Sequence, residues 1–264
     1  MRARLKTRVV RSPREVVEHF DRLAPRYRDE HGPAERLLAY RLGIIRRLVS
    51  GARRGTLLEI GCGTAIHLLP LAGEFARAVG TDLSAEMIAA ARRSAADSPW
   101  RDRVSLRVDP AEELATVGDH SVDVALCGGA LEHMLNRERA LRQVHRVLAP
   151  GGTFVCLTLN GGFCWYWHVA PRLGVDTRHL STDRFLTGDE LRSLAAGTGL
   201  VVHRLEPWRF IPKGDLPASW GAVLATLDRI GALLRLDSLH NGLAMAAMRP
   251  QNPPTPGVET REGP

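Results

Sequence analysis

Lysine is almost missing from this chain of 264 residues: Lys6 and Lys213 stand alone among 36 basic side chains, and all the others are arginine. That bias reads as GC-rich codon usage, so the net charge of +7 is a weaker sign of an acidic partner than its size suggests. A long clean apolar run is also lacking. The longest, Gly221 to Leu236, is broken by Asp228 and Arg229 and falls short of the ~20 residues a membrane-spanning helix needs. Cysteine is sparse. Cys62, Cys127, Cys156 and Cys164 form no C-x-x-C pair, which speaks against a metal site or a disulfide framework. No charged-then-apolar leader opens the sequence, and a reducing, cytoplasmic setting is expected. Aromatic residues make up 5% of the chain and do not interleave the N-terminal arginines, so stacking platforms for nucleic acid are missing there.

What is present is ordinary for a folded domain: 44% hydrophobic and 25% charged residues. The length suits one core with about 40 residues left for lids or tails. Charge is uneven, with +9 on residues 1–54 and −2 on the remainder. Such an arm is either a solvated arginine-rich helical face, the favoured reading, or an electrostatic footprint for nucleic acid or an anionic membrane.

Ser12-Pro13-Arg14-Glu15 is a capping box with proline at the first helical position, and Val16, Val17, Phe20 and Leu23 recur at helical spacing until Pro25. A second helical pattern runs from about Ala34 to Val49. After it, strand-like runs at Thr56 to Ile60, Ala78 to Thr81, Val104 to Val108, Val122 to Cys127 and Thr153 to Leu159 alternate with helical patterns at Ile66 to Phe75, Ala85 to Ala96 and Arg137 to Leu148. Strictly alternating strands and helices pair in parallel, under helices on both faces. Thr187-Gly188-Asp189-Glu190 opens a further helix to Ala196, and Leu200 to Leu205 with Gly242 to Met248 are expected to close the sheet as a hairpin-like edge around an insertion. This makes an α/β fold with a doubly wound, mostly parallel seven-stranded sheet. The Pro- and Gly-rich tail from Pro250 to Pro264 is expected to be disordered.

In Glu59-Ile60-Gly61-Cys62-Gly63-Thr64-Ala65 a strand gives way to a helix, and the glycines let the backbone turn sharply and approach a ligand closely. Alone, such a turn is equally a tight connection. Asp82, at the end of the next strand, stands where a carboxylate accepts hydrogen bonds from both hydroxyls of a ribose. Ser84 already serves as the cap of the following helix, which leaves Asp82 available to a ligand.

This stretch resembles the class I S-adenosylmethionine (SAM)-dependent methyltransferase family, in the E-x-G-x-G form of its first motif, and the likeness continues in order. Val108-Asp109-Pro110-Ala111-Glu112 is similar to the segment that reads the adenine, Ser121 to Cys127 to the fourth-strand motif, Ala130-Leu131-Glu132-His133-Met134 to the "LEH" stretch, and Arg146 to Thr153 to R-x-L-x-P-G-G. Five motifs over residues 57 to 160 cover the cofactor half of a Rossmann-like domain. The resemblance implies SAM as cofactor. It implies contacts to the methionine part from Glu59, Gly61, Cys62 and Gly63, to ribose from Asp82, and to adenine from Leu83, Asp109 and Ala111, with Met87 and Cys127 beside them. Ala65 departs from the family's third glycine. An extra residue between Asp109 and Leu114 leaves open whether Asp109 or Glu112 meets the adenine. Phe20 to Tyr27 is similar to the FD-x-x-A-x-x-Y lid of ubiquinone and menaquinone biosynthesis methyltransferases, which implies Tyr27 closing over SAM. Plain helix packing explains Phe20 and Tyr27 equally well. Residues 1–54 are then a helical lid and 55–249 the catalytic domain, with acceptor-side insertions at 160–184 and 207–240.

Methyl transfer is an in-line displacement, for which positioning supplies much of the rate. A hydroxyl acceptor also needs a base, and His133 at the carboxyl edge of the sheet is the leading candidate, with Glu132 placed to orient it. His168 and His179 follow. The segment from Asn160 to Arg184, with Phe163, Trp165, Tyr166 and Trp167, is expected to line the acceptor pocket, or else to pack the lid. Trp220, Val223, Leu224, Leu227, Ile230, Leu233 and Leu234 share one helical stripe between Ala218 and Leu236, expected to pack on the core, with a membrane-surface helix as the alternative.

The expected activity is methylation of a small, aromatic or lipophilic acceptor, oxygen favoured, with no nucleic-acid partner. Two rival functions remain. A nucleic-acid methyltransferase is disfavoured because Cys127-Gly128-Gly129-Ala130 lacks Asn-Pro-Pro-aromatic and no Pro-Cys nucleophile appears. A non-catalytic SAM-binding protein is disfavoured because the glycines and the ribose carboxylate are retained.

Overall fold

The computed structural model describes residues 8–9, 12–27, 34–165, 168, 172, 180–181, 185–208, 226–227, 229–231, 233–234 and 236–251. Its centre is a seven-stranded sheet made of β2 (Thr56–Ile60), β3 (Arg77–Asp82), β4 (Val104–Val108), β5 (Val122–Gly128), β6 (Leu148–Leu159), β8 (Val201–Trp208) and β9 (Gly242–Met248). The spatial order is β4-β3-β2-β5-β6-β9-β8. The five strands β2 to β6 pair in parallel, and β9 runs antiparallel to both β6 and β8. The expected antiparallel edge is therefore present, and the strand order reverses between β2 and β5, where doubly wound sheets bind ligands.

Alternation along the strands sends side chains to two cores. Leu57, Leu126, Val155 and Leu157 face α2 (Ala34–Leu48), α3 (Leu68–Ala72) and α4 (Ala85–Ala96). Leu58, Ile60, Ala125, Phe154 and Met245 face α5 (Arg137–Val147) and α6 (Gly188–Gly197). Burial on both faces is what near-continuous apolar strands require. Helix starts follow the caps in the sequence. The hydroxyl of Ser12 accepts from the Glu15 N–H as α1 (Pro13–Leu23) begins, Ser84 caps α4 from Met87, and Thr187 with Glu190 completes a reciprocal capping box on α6.

Three elements differ from expectation. The helix expected over Ile66 to Phe75 is regular only from Leu68 to Ala72, because Ala65 takes φ +62° and delays the first helical turn. A short parallel pair joins β1 (Arg8–Val9) to β7 (Leu180–Ser181), too brief to leave a periodic signal. Part of the apolar stripe of the insertion is left in solvent: Leu227 is half-buried, but Ile230 is 48%, Leu233 82% and Leu234 60% exposed. Trp220, Val223 and Leu224 lie outside the described residues. No described helix is long and apolar enough to cross a membrane.

Candidate functional site

A cavity of about 310 Å³ opens above the carboxyl ends of β2, β3 and β5. Its floor is the turn after β2, where Gly61 (φ +62°) and Gly63 (φ +52°) adopt left-handed backbone. Gly61 has no room for a side chain, since an added Cβ would fall 2.4 Å from that of Ala130. Asp82, at the tip of β3, is locked against this floor: one carboxylate oxygen accepts the Gly63 N–H at 2.8 Å and the other the Ser84 N–H at 2.9 Å. Each oxygen keeps a lone pair for a ligand.

The roof is α1. Val16, Val17 and Phe20 line the cavity beside Met87 of α4. The helix is held by a 2.5 Å hydrogen bond from the Ser84 hydroxyl to the Asp21 carboxylate. Tyr27, just past α1, also lines the cavity, its ring about 4 Å from where a Gly63 Cβ would sit. Burial pushes its phenol up to about 12; Arg41 opposes the rise, while Asp82, Glu59 and Glu132 add to it. Tyr27 is therefore a hydrogen-bond donor, not a base, at any ordinary pH.

Electrostatically the floor is anionic. Burial raises the Asp82 carboxyl above the usual carboxylate range, opposed by the backbone N–H groups it accepts from, and Glu59 adds to the rise. Burial likewise raises the Cys62 thiol, with Asp82 and Glu59 contributing. Glu59 is fully buried, and one of its oxygens meets the His67 Nδ1 at 3.0 Å while the other has no hydrogen-bond partner. Among the described residues neither Asp82 nor Glu59 is paired with lysine or arginine. Arg139 stands on the cavity wall, and Arg41 of α2 lies within electrostatic range of Tyr27, its guanidinium 5.6 Å from the Trp208 ring centroid and its Nε without a hydrogen-bond partner. Burial lowers its pKa, with Tyr27 and Glu132 opposing. Arg41 escaped notice in the sequence because it sits in an unremarkable helical run; only the fold brings it to Tyr27.

Of the residues singled out in the sequence, Tyr27, Gly61, Gly63, Asp82, Leu83, Met87, Ala111 and His133 share this cavity. Cys62 and Cys127 do not: both side chains are buried in the core, Cys127 against Cys156 on the neighbouring strand. Asp109 is turned away as well. Its carboxylate accepts the backbone N–H of Ala115 and both the N–H and hydroxyl of Thr116, at 2.6 to 3.0 Å. The extra residue in this loop is absorbed by Leu114 at φ +42°, and Asp109 braces the result, leaving Glu112 and Ala111 on the cavity wall.

His133 ends a short 3-10 turn and packs edge-to-face against Phe20, ring centroids 5.2 Å apart. The neighbouring Glu132 carboxylate accepts from the Thr158 hydroxyl at 2.9 Å. His168 is exposed, and His179, Tyr166 and Trp167 lie outside the described residues. Phe163 and Phe185 form a small core of their own with Leu159 and Trp165 packed against it.

Comparison with known proteins agrees with this geometry. A family model described as a methyltransferase domain matches residues 58–156. A demethylmenaquinone methyltransferase of Symbiobacterium thermophilum is 32% identical over 122 residues, which cover 42% of this chain and 48% of that protein, so the match spans about half the relative's length. A ubiquinone biosynthesis O-methyltransferase of Ruegeria pomeroyi is 31% identical over 207 residues, covering 71% of this chain and 82% of that protein. Among solved structures, the [4+2]-cyclase SpnF superposes with a TM-score of 0.66 at 17% identity, over 94% of this chain and 100% of that one, a likeness of fold alone. Ordered motifs, strand order and relatives of this extent agree, and the chain belongs to the class I SAM-dependent methyltransferase family.

Proposed function

We propose that the protein binds SAM in the cavity under α1 and passes its methyl group to an oxygen of a small, flat or lipophilic acceptor. The observation that carries this reading is the charge of the floor. Glu59, fully buried, and Asp82, half-buried at the cavity floor, stand together with no lysine or arginine paired to either among the described residues, which is costly unless a cationic ligand joins them. The fit extends to shape. Gly61 leaves open a cradle that a Cβ would fill, and Glu59 offers an unpartnered oxygen.

In this reading Asp82 accepts from the ribose hydroxyls through its remaining lone pairs, Leu83 and Ala111 flank the adenine, and Glu112 stands at its edge. Tyr27 donates its hydroxyl from the roof, and Arg41 answers the carboxylate of the amino-acid part. When bound, SAM supplies an electrophilic methyl group on a sulfonium. The protein's own contribution is to hold the acceptor atom in line about 3 Å away, to exclude water beneath α1, and to accept the hydroxyl proton on His133. Oxygen as the methylated atom is supported by the Ruegeria relative's name and by the presence of His133 in the cavity.

Calorimetric titration with SAM tests the cofactor half: absent binding, or binding unchanged by Asp82→Ala, would sink it. Incubation with labelled SAM and a panel of phenols, quinone precursors, amino sugars and lipid acceptors then identifies the acceptor.

A further inference from the structure

His67 stands at the start of α3, in the position where a helix usually carries a capping side chain, yet it makes no cap. Its imidazole turns back beneath the sheet edge instead, where Nδ1 lies 3.0 Å from Glu59 Oε1. Glu59 is 0% and His67 4% exposed. An ionised carboxylate only accepts, so Nδ1 carries the proton of this hydrogen bond.

The pair lies directly behind the cavity wall. A Cβ on Gly128, which lines the cavity, would fall 2.8 Å from His67 Nδ1 and 3.4 Å from a Glu59 oxygen. The absent side chain at Gly128 therefore leaves room for the His67 ring and Glu59 Oε1 directly behind that wall residue. Glu59 Oε2 is buried without a partner, and the cavity residues Tyr27 and Asp82 both lie within electrostatic range of Glu59. A carboxylate with one oxygen fixed and the other unmet is poised for a donor, and a charged donor makes the stronger bond.

We propose that His67 is a positioning residue: its Nδ1–H fixes Glu59 so that Oε2 meets the primary ammonium of the donor's amino-acid part. This rests on the SAM reading above. The residue acts through Glu59, and a site held by packed supporting groups keeps its geometry when the ligand arrives.

The test compares two ligands, SAM and 5′-methylthioadenosine, which shares the nucleoside and lacks the ammonium and carboxylate. In calorimetry, His67→Leu is expected to weaken SAM tenfold or more and to change methylthioadenosine affinity less than about twofold. His67→Asn, whose amide N–H stands close to the lost Nδ1–H, restores most of the SAM affinity. Equal loss for both ligands, unchanged SAM affinity, or no rescue by His67→Asn overturns the proposal. A second readout needs no apolar variant in the core: in the wild-type protein the Nδ1–H resonance of His67, assigned by its disappearance in His67→Asn, shifts with SAM and not with methylthioadenosine. An unmoved resonance with SAM overturns it as well. A wild-type protein that binds neither ligand removes the SAM reading itself, whereas methylthioadenosine binding with SAM affinity indifferent to His67 removes only the role of His67.

Discussion

The Cβ that Gly61 lacks would lie 2.4 Å from the Cβ of Ala130, and the contact ties the floor of the site to the segment carrying His133. Gly63, two residues on, is different: a Cβ there meets the Tyr27 ring at 3.9 Å, an ordinary contact. Both positions have positive φ, which costs a residue with a Cβ about 1–2 kcal/mol. Gly61→Ala adds overpacking of about 1–3 kcal/mol to that strain. The expected result is a stability loss of about 2–5 kcal/mol for Gly61→Ala and only about 1–2 kcal/mol for Gly63→Ala, measured by urea denaturation. Similar losses at the two positions would contradict the close approach of Ala130.

Asp82 predicts a pH dependence. Its carboxyl is raised by burial, so between the ordinary carboxylate range and the raised value the native state holds a proton that the unfolded chain has released. Stability of the ligand-free protein therefore falls as pH rises through that window. A cationic donor prefers the ionised form, so SAM affinity rises over the same window, by at most about tenfold per pH unit. Titrations of SAM at several pH values, on wild type and Asp82→Asn, check this. A pH dependence that survives Asp82→Asn assigns it elsewhere.

Tyr27 predicts a spectroscopic signature. The chain has three tyrosines, Tyr27, Tyr40 and Tyr166, and burial holds the Tyr27 phenol up to about 12. In an alkaline absorbance titration the Tyr27 phenolate is expected to appear late, and Tyr27→Phe removes that late step. The raised value also means that stability falls between about pH 10 and 12, where the native state keeps a proton the unfolded chain loses.

Asp109 and Glu112 separate bracing from binding. Asp109→Ala leaves the N–H groups of Ala115 and Thr116 without their acceptor and costs about 2–4 kcal/mol. Glu112→Gln, on the cavity wall, leaves stability within about 0.5 kcal/mol and changes the preference for adenosine over inosine in competition with SAM. If Asp109→Asn altered that preference instead, the carboxylate would have to leave the loop to meet the base.

The strands, the helix starts and the glycine floor were legible in the sequence because they rest on local rules: apolar strand runs, Ser84 and Thr187 as caps, and glycine where φ is positive. What was not legible depends on where side chains turn. Adjacency made Glu132 look like the partner of His133, and nothing in the sequence pointed to the Thr158 hydroxyl that its carboxylate accepts from. The family likeness made Asp109 look like a ligand, yet its carboxylate is taken up by Ala115 and Thr116, just past the left-handed Leu114. Arg41 and His67 carry no motif of their own and meet the site only once α2 and α3 dock on the sheet. The exposed Ile230, Leu233 and Leu234 show the limit of periodicity, which marks an apolar face without saying what covers it.

His133 bears on the acceptor chemistry itself. It lines the cavity with its ring held edge-on to Phe20 of α1. A positioned base contributes about 10²–10⁴-fold to a proton transfer. With a hydroxyl acceptor, His133→Ala is expected to lower kcat by that order and leave SAM affinity within about twofold. Phe20→Ala, which frees the ring without removing it, lowers kcat less and loosens α1 from the cavity. An acceptor that loses no proton before transfer is indifferent to His133→Ala, so the ratio of the two variants' rates across phenol and amine acceptors reports which atom receives the methyl group. If His133→Ala weakened SAM binding and left kcat unchanged for a phenol, His133 would be part of the cofactor wall and the proton would go elsewhere.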